Sequence, residues 1–274
     1  MRVDIRGAAR RIVDAWMPGL GRTYRRLRDK RAALAAPVPT PFGFKLSGNR
    51  SMAAGDFENE EIEVFLKYLP KASACIDIGA NVGLYTCLAA AQGKKVIAVE
   101  PLRLNLTALY SNIVSNSFFG VEVFPIGLSS RAGIKRLYGN NTGASFVPGW
   151  SGVSDKWYEV VPVSTLDLIV NTRFDGQTLL IKMDVEGFEH DVLRGAEQTL
   201  SLSPRPVWLV EINFSEHFPG GLNGKFYNTF EMFWRRGYQA RTANREERPI
   251  DSNDVSRWVK QGRVDFGSHN YLFS

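Results

Sequence analysis

Histidine and cysteine are scarce in this chain, at three and two among 274 residues. His190, His217 and His269 lie far apart, and no Cys/His group has the spacing of a zinc site. Two cysteines cannot make the disulfide framework of a small secreted domain. Cys75 falls in an apolar run and Cys87 in a helix-like run, which suits small buried hydrophobes in a reducing cytoplasm. No run approaches the roughly 18 uninterrupted apolar residues of a membrane span. Arg2 and Arg6 are followed by no apolar h-region, so no secretory signal is expected. Internal repeats and low-complexity tracts are lacking. A composition of 44% hydrophobic and 23% charged residues excludes a disordered chain.

Positive charge is abundant in one place and absent as an excess elsewhere. Residues 1–31 hold ten Lys/Arg and three Asp/Glu, a net +7 within a total of +6, so the remainder is close to neutral. The main body therefore has no surface charge suited to nucleic acid. The arm itself places Ile5, Ala9, Ile12, Val13 and Trp16 at helical spacing between arginines. Two readings stand for it. One is a basic amphipathic helix on an anionic membrane surface, which would make the protein peripheral to the inner face of the membrane. The other is a stripe packed on the catalytic domain or on a second subunit. Vesicle sedimentation with and without the arm separates them. A nucleic-acid-binding arm is a further alternative, weakened by having only Trp16 and Tyr24 for stacking.

The segment APVPTPFG marks a linker or turn near residue 40, so residues 1–50 read as basic arm plus linker and 51–274 as one domain. GDFENEEIEVFLKYL reads as a loop feeding a helix. From there strands and helices alternate: SACIDI, GLYTCLAAAQG, KVIAVE, NLTALYSNIVSN, VEVFPIGL. After a Gly/Ser/Asn-rich stretch come TLLIKMDVEG, EHDVLRGAEQTL, VWLVEIN, KFYNTFEMFWRRG, YQARTA, DVSRWVKQG and SHNYLFS. This order predicts an α/β fold with a mostly parallel sheet covered on both faces. In such sheets ligands bind beyond the carboxyl ends of the strands, where strand order reverses.

The turn Gly79-Ala80-Asn81-Val82-Gly83 follows the first of these strands. It is not a dinucleotide fingerprint, because the second and third glycine places of G-x-G-x-x-G hold Asn81 and Leu84. Besides a plain packing turn, an adenosyl ligand without phosphates remains. Asp77 at the strand end could receive an ammonium group. Glu100, about 20 positions after the first glycine, is placed to accept from ribose hydroxyls. S-adenosylmethionine has both groups. Its candidate contacts are Asp77, Gly79, Ala80, Asn81, Gly83 and Glu100.

The stretches CIDIGANVGLYTCLAA, VIAVEPLRLNLTALYSNI, LLIKMDVEGFEHDVLRGAEQTL and VWLVEIN resemble, in order and spacing, the FkbM family of S-adenosylmethionine-dependent methyltransferases. The resemblance runs from about residue 57 to NYLFS; residues 1–50 lie outside it and the loop at 139–157 matches little. It implies a class I, Rossmann-like doubly wound sheet of seven strands with the last antiparallel. It also implies O-methylation of a hydroxyl on a sugar, glycan or other natural product.

Methyl transfer to an alcohol needs an aligned nucleophile and a group to take its proton. The candidates that follow strand ends are Asp184, Glu186 and Glu211, with Asn213 on the side of Glu211. Each has a structural reading as well. Asp184 could cap the following helix, Glu186 or Glu189 could favour a helix N-terminus, and Lys182 could pair with either. His190 and His217 read as surface or loop residues. Two carboxylates at neighbouring strand ends could also hold a divalent cation, but no third ligand is evident and no metal ligand set is assigned. The alternative of N-methylation of a nucleobase wants an Asn/Asp-Pro-Pro-aromatic stretch where this chain has Met183-Asp184-Val185-Glu186-Gly187.

Overall fold

The computed structural model describes residues 30–139, 142–267 and 269–274, so almost all of the basic arm lies outside the described residues. The stretch expected as a linker folds onto the domain. Val38–Pro39 (β1) and Lys45–Leu46 (β2) form an antiparallel hairpin. Phe44 and Leu46 are buried, and the Asn112 side chain accepts from Ser47 N–H at 2.8 Å and donates to Ser47 O at 3.2 Å.

Two helices follow, Arg50–Ala54 (α1) and Asn59–Tyr68 (α2). The alternation then runs Ala74–Ile78 (β3), Leu84–Ala91 (α3), Lys95–Val99 (β4), Arg103–Ser115 (α4), Val121–Phe124 (β5), Gly127–Leu128 (β6), Gly133–Tyr138 (β7) and Tyr158–Ser164 (β8). It continues with Leu166–Val170 (α5), Leu179–Met183 (β9), Glu189–Arg194 (α6), Val207–Glu211 (β10), Phe226–Trp234 (α7), Ala240–Thr242 (β11), Pro249–Ile250 (β12), Ser252–Gln261 (α8) and Asn270–Phe273 (β13).

Every residue of β3 and β9 is buried, as expected of central parallel strands covered on both faces. Side-chain alternation sorts them. Ile76, Ile78, Ile181, Met183, Trp208 and Val210 enter one core. Cys75, Leu180, Leu209 and Leu272 enter the other. Both cysteines are free and buried.

The main sheet has the order β12-β11-β13-β10-β9-β3-β4-β5. Strands β10, β9, β3, β4 and β5 are parallel, while β13 runs antiparallel to both β10 and β11. The sheet thus carries eight strands rather than seven. The addition is β12, two residues at the edge, where Pro249 has no N–H to leave unpaired. The run VEVFPIGL, expected as one strand, divides at Pro125: β5 stays in the main sheet, and β6 joins β8 and β7 in a separate three-stranded sheet. Strand order reverses between β3 and β9, which locates the crevice.

Helix α8 is held by a capping box. Asp251 Oδ1 accepts from the N–H groups of Asn253 and Asp254, both at 2.9 Å, and Asp254 Oδ2 accepts from Asp251 N–H at 3.2 Å. The helix buries Val255 and Trp258. Asp251→Ala should cost about 1 kcal/mol. In urea unfolding it should appear as a lower midpoint at unchanged slope.

Candidate active site

At the end of β3 the chain turns sharply. Gly79 has φ 78°, Asn81 φ 53° and Gly83 φ 94°. The N–H groups of Gly79 and Ala80 both donate to Val99 O, at 2.9 and 3.0 Å, fixing the turn to the end of β4. Asp184 N–H donates to Ile78 O at 3.0 Å. The ends of β3 and β9 are so close that a Cβ on Gly79 would lie 1.8 Å from the carbonyl oxygen of Asp184.

The crevice beyond these strand ends is lined by Gly79, Asn81, Glu100, Asn105, Asp184 and Glu186, with Leu137, Ala144 and Phe146 on the opposite wall. Glu100 is buried. Its Oε2 accepts from Asn81 N–H at 2.8 Å and its Oε1 from Leu102 N–H at 2.7 Å. Burial raises its carboxyl to about 7 against these bonds and one from Asn105. Asn105 carried no signal in the sequence beyond its place in a helix.

Three of the expected cofactor residues sit behind this wall. Asp77 Oδ2 accepts from Thr86 Oγ1 at 2.6 Å, inside the core, where burial lifts its carboxyl to about 6. Ala80 packs against Ala98 and Leu109. A Cβ on Gly83 would lie 2.5 Å from Leu109 Cδ1, so this glycine permits α3 and α4 to approach. These three shape the turn; Gly79, Asn81 and Glu100 face the crevice.

On the other side of Asp184 lies an acidic basin around Lys182, which is 1% exposed. Lys182 Nζ donates to Asn270 Oδ1 at 3.2 Å and lies 5.2 Å from the centre of the Tyr85 ring. Glu58, at the entry to α2, adopts a left-handed backbone (φ 45°, ψ 47°), a strained conformation for a side-chain-bearing residue. Its Oε2 accepts from Tyr85 Oη at 2.7 Å. Glu211 Oε1 accepts from Asn213 Nδ2 at 2.7 Å, and Glu186 Oε2 from Trp150 Nε1 at 2.9 Å. One carboxylate oxygen each of Glu58, Asp184 and Glu211 falls within 4.8 Å of the others. Such a group could hold a positive charge, and Lys182 already supplies one beside it. Glu58 is the third carboxylate that the sequence reading did not find.

Burial dominates the electrostatics. It raises Glu186 to about 8, with Asp184 adding to the rise and the Trp150 bond opposing it. It lifts Glu211 well above the carboxylate range and raises Glu58. Burial also depresses Lys182, but Asp184, Glu58, Glu211 and Asp77 together outweigh it, so the ammonium is held more firmly than usual. Glu189 turns back on its own helix entry, accepting from Gly187 N–H at 2.9 Å. His217 is exposed beside Trp150, and His190 is half-buried on α6. Neither joins the basin.

The methyltransferase FkbM domain matches residues 77–240, from β3 into β11. The chain belongs to the FkbM methyltransferase family. No curated protein matches it. Solved structures share similarity at low identity. A precorrin-6y C5,15-methyltransferase from Geobacter metallireducens is 12% identical, with 77% of this chain and 82% of that one covered and a TM-score of 0.38. A ribosomal protein L11 methylase from Lactobacillus delbrueckii subsp. bulgaricus is 10% identical, with 78% and 74% covered and a TM-score of 0.42. A TehB-like SAM-dependent methyltransferase from Corynebacterium glutamicum is 13% identical, with 81% and 90% covered and a TM-score of 0.44.

The FkbM methyltransferase family implies S-adenosylmethionine as methyl donor, and the chemistry of the crevice suits it. Asn81 Oδ1 and Asp184 Oδ1 are buried acceptors without a donor among the described residues, and the basin holds more carboxyl groups than cations. Space is tight, at about 50 Å³ free, far below the roughly 300 Å³ of a ligand pocket. A larger groove of about 770 Å³ lies at the β12 edge, between Trp234, Arg241 and Asp251, and contains none of these residues. No helix among the described residues is long and apolar enough to cross a membrane.

Proposed function

We propose that this FkbM methyltransferase moves a methyl group from S-adenosylmethionine to a hydroxyl oxygen of a sugar, glycan or other natural product, with Asp184 taking the hydroxyl proton. The observation that carries this reading is the position of Asp184, which lines the crevice and also belongs to the carboxylate group formed with Glu58 and Glu211. Gly79 lets the ligand meet bare backbone, Asn81 offers an acceptor, and Glu100 accepts from ribose hydroxyls. Asp77, Ala80 and Gly83 set the shape of the turn. Bound there, S-adenosylmethionine supplies the electrophilic methyl carbon. Glu211, held by Asn213, and Glu186, held by Trp150, flank the base and orient the acceptor.

Nucleobase N-methylation is the weaker reading, because carboxylates follow β9 where that chemistry wants amide and carbonyl acceptors for an amine. The charge of the basin is met by Lys182 and by the donor's own positive groups, so this reading assigns no divalent cation. Contact of residues 1–31, of which 1–29 lie outside the described residues, with an anionic membrane is a separate proposal.

Glu100→Ala should weaken S-adenosylmethionine binding by about 1–3 kcal/mol, the scale for hydrogen bonds to a charged group. Calorimetric titration measures it, and unchanged affinity would sink the ribose assignment. A screen of hydroxylated sugars and lipid-linked glycans with labelled methyl donor tests the acceptor class. Transfer to nucleobases alone would overturn it.

A further inference from the structure

We propose that the carboxylate cluster around Lys182 exchanges a proton for the positive charge of the methyl donor, so that it tells S-adenosylmethionine from S-adenosylhomocysteine by charge. The inference rests on the donor site proposed above. Its basis is a mismatch in the basin. Glu58 at the entry to α2, Asp77 from β3, Asp184 after β9 and Glu211 from β10 surround the single ammonium found there among the described residues, that of Lys182, and Glu186 lies beside Asp184 and Glu211. The other groups turned toward it are Tyr85 from α3 and Asn270 from β13, and Asn270 Nδ2 also donates to Glu61 Oε1 of α2 at 3.4 Å. None of these is a cation. His269, beside Asn270, points its Nε2 at Glu216 instead, at 3.2 Å.

Half-buried carboxylates whose oxygens lie within 4.8 Å of one another resist ionising together beside one ammonium. Burial, with neighbouring carboxylates adding to it, displaces Glu186, Glu211 and Glu58 toward the protonated form. A ligand that brings positive charge removes the need for one of those protons. S-adenosylmethionine and S-adenosylhomocysteine share the ammonium, the carboxylate and the adenosine, and differ by the charge on sulfur. The first should release a proton that the second leaves in place.

The same exchange fits the chemical step. As the oxygen–carbon bond forms, the carbon–sulfur bond breaks with its electron pair passing to sulfur, and the acceptor's O–H proton passes to Asp184. The sulfonium charge disappears as the cluster gains a proton, so the net charge of the basin is the same before and after. Lys182 is a positioning residue here, because its buried ammonium lies beside the carboxylate that takes the proton.

The sign of the pH effect follows from linkage. Proton release on binding makes affinity rise with pH, between the lowered proton affinity of the complex and the raised one of the free protein. Calorimetric titration of the full chain with each ligand from pH 6 to 8, in two buffers of different ionisation heat and with chelator present, reads this directly. S-adenosylmethionine affinity should rise about five- to tenfold per pH unit, the slope of nearly one proton. S-adenosylhomocysteine affinity should change by less than about twofold per unit. Glu58→Gln should reduce the difference in protons released. Equal pH slopes for the two ligands in the wild-type protein, both binding, overturn this proposal alone, without recourse to the variant. Binding of neither ligand at any pH overturns the donor site as well.

Discussion

Asp184→Asn should lower methyl transfer by about 10²–10⁴-fold, the range for loss of a general base, beyond any loss of S-adenosylmethionine affinity. Asparagine keeps the shape of the side chain and the backbone bond to Ile78 O, which leaves the β3–β9 junction intact. What it removes is the carboxylate that shares the crevice with the donor site and the basin with Glu58 and Glu211. Turnover with an identified acceptor, beside calorimetric donor affinity, separates chemistry from binding. A loss under about tenfold would make Asp184 structural and pass the base to Glu211, whose proton affinity burial and Asp184 raise.

Gly79→Ala should destabilise the fold by about 3–5 kcal/mol, at the upper end for single substitutions. Two costs combine. The left-handed backbone at φ 78° disfavours any Cβ by about 1–2 kcal/mol. The new methyl would also stand 1.8 Å from a backbone oxygen that cannot swing aside, so β3 and β9 must part at the crevice. Gly93→Ala is the control, since Gly93 shares the conformation at φ 71° but has nothing within 4 Å of its Cβ position. Urea unfolding of both variants isolates the contact. Equal losses would mean that the strand ends tolerate separation.

The parts legible in sequence are those written in local pattern. ACIDI and LLIKM announce buried parallel strands because both faces of each are covered. The period of two places Lys182 and Asp184 on one face of β9 and Leu209 and Glu211 on one face of β10. The same period puts Asp77 with Cys75 and, across the register, on the face of Lys182, where it bonds Thr86. Gly79 and Gly83 look alike in sequence and serve different neighbours, a strand end and Leu109, which only three-dimensional packing assigns. Glu58 had no local signal: it precedes a helix among other acids and joins Asp184 only through the fold. Strand β12 is too short for its alternation to register, and Pro125 alone marks the division of residues 121–128 between two sheets.

The antiparallel strand β13 is the last of the sheet to be synthesised, yet it lies between β10 and β11 and carries the Asn270 that receives Lys182. While the ribosome still encloses these residues, β10 and β11 have no common neighbour and Trp208 and Leu209 lack their partners Phe273 and Leu272. The nascent chain can assemble β3, β4, β5 and β9 as they emerge, but the Lys182 basin closes only after Asn270–Phe273 has left the exit tunnel. Until then the sheet holds an open slot one strand wide between β10 and β11.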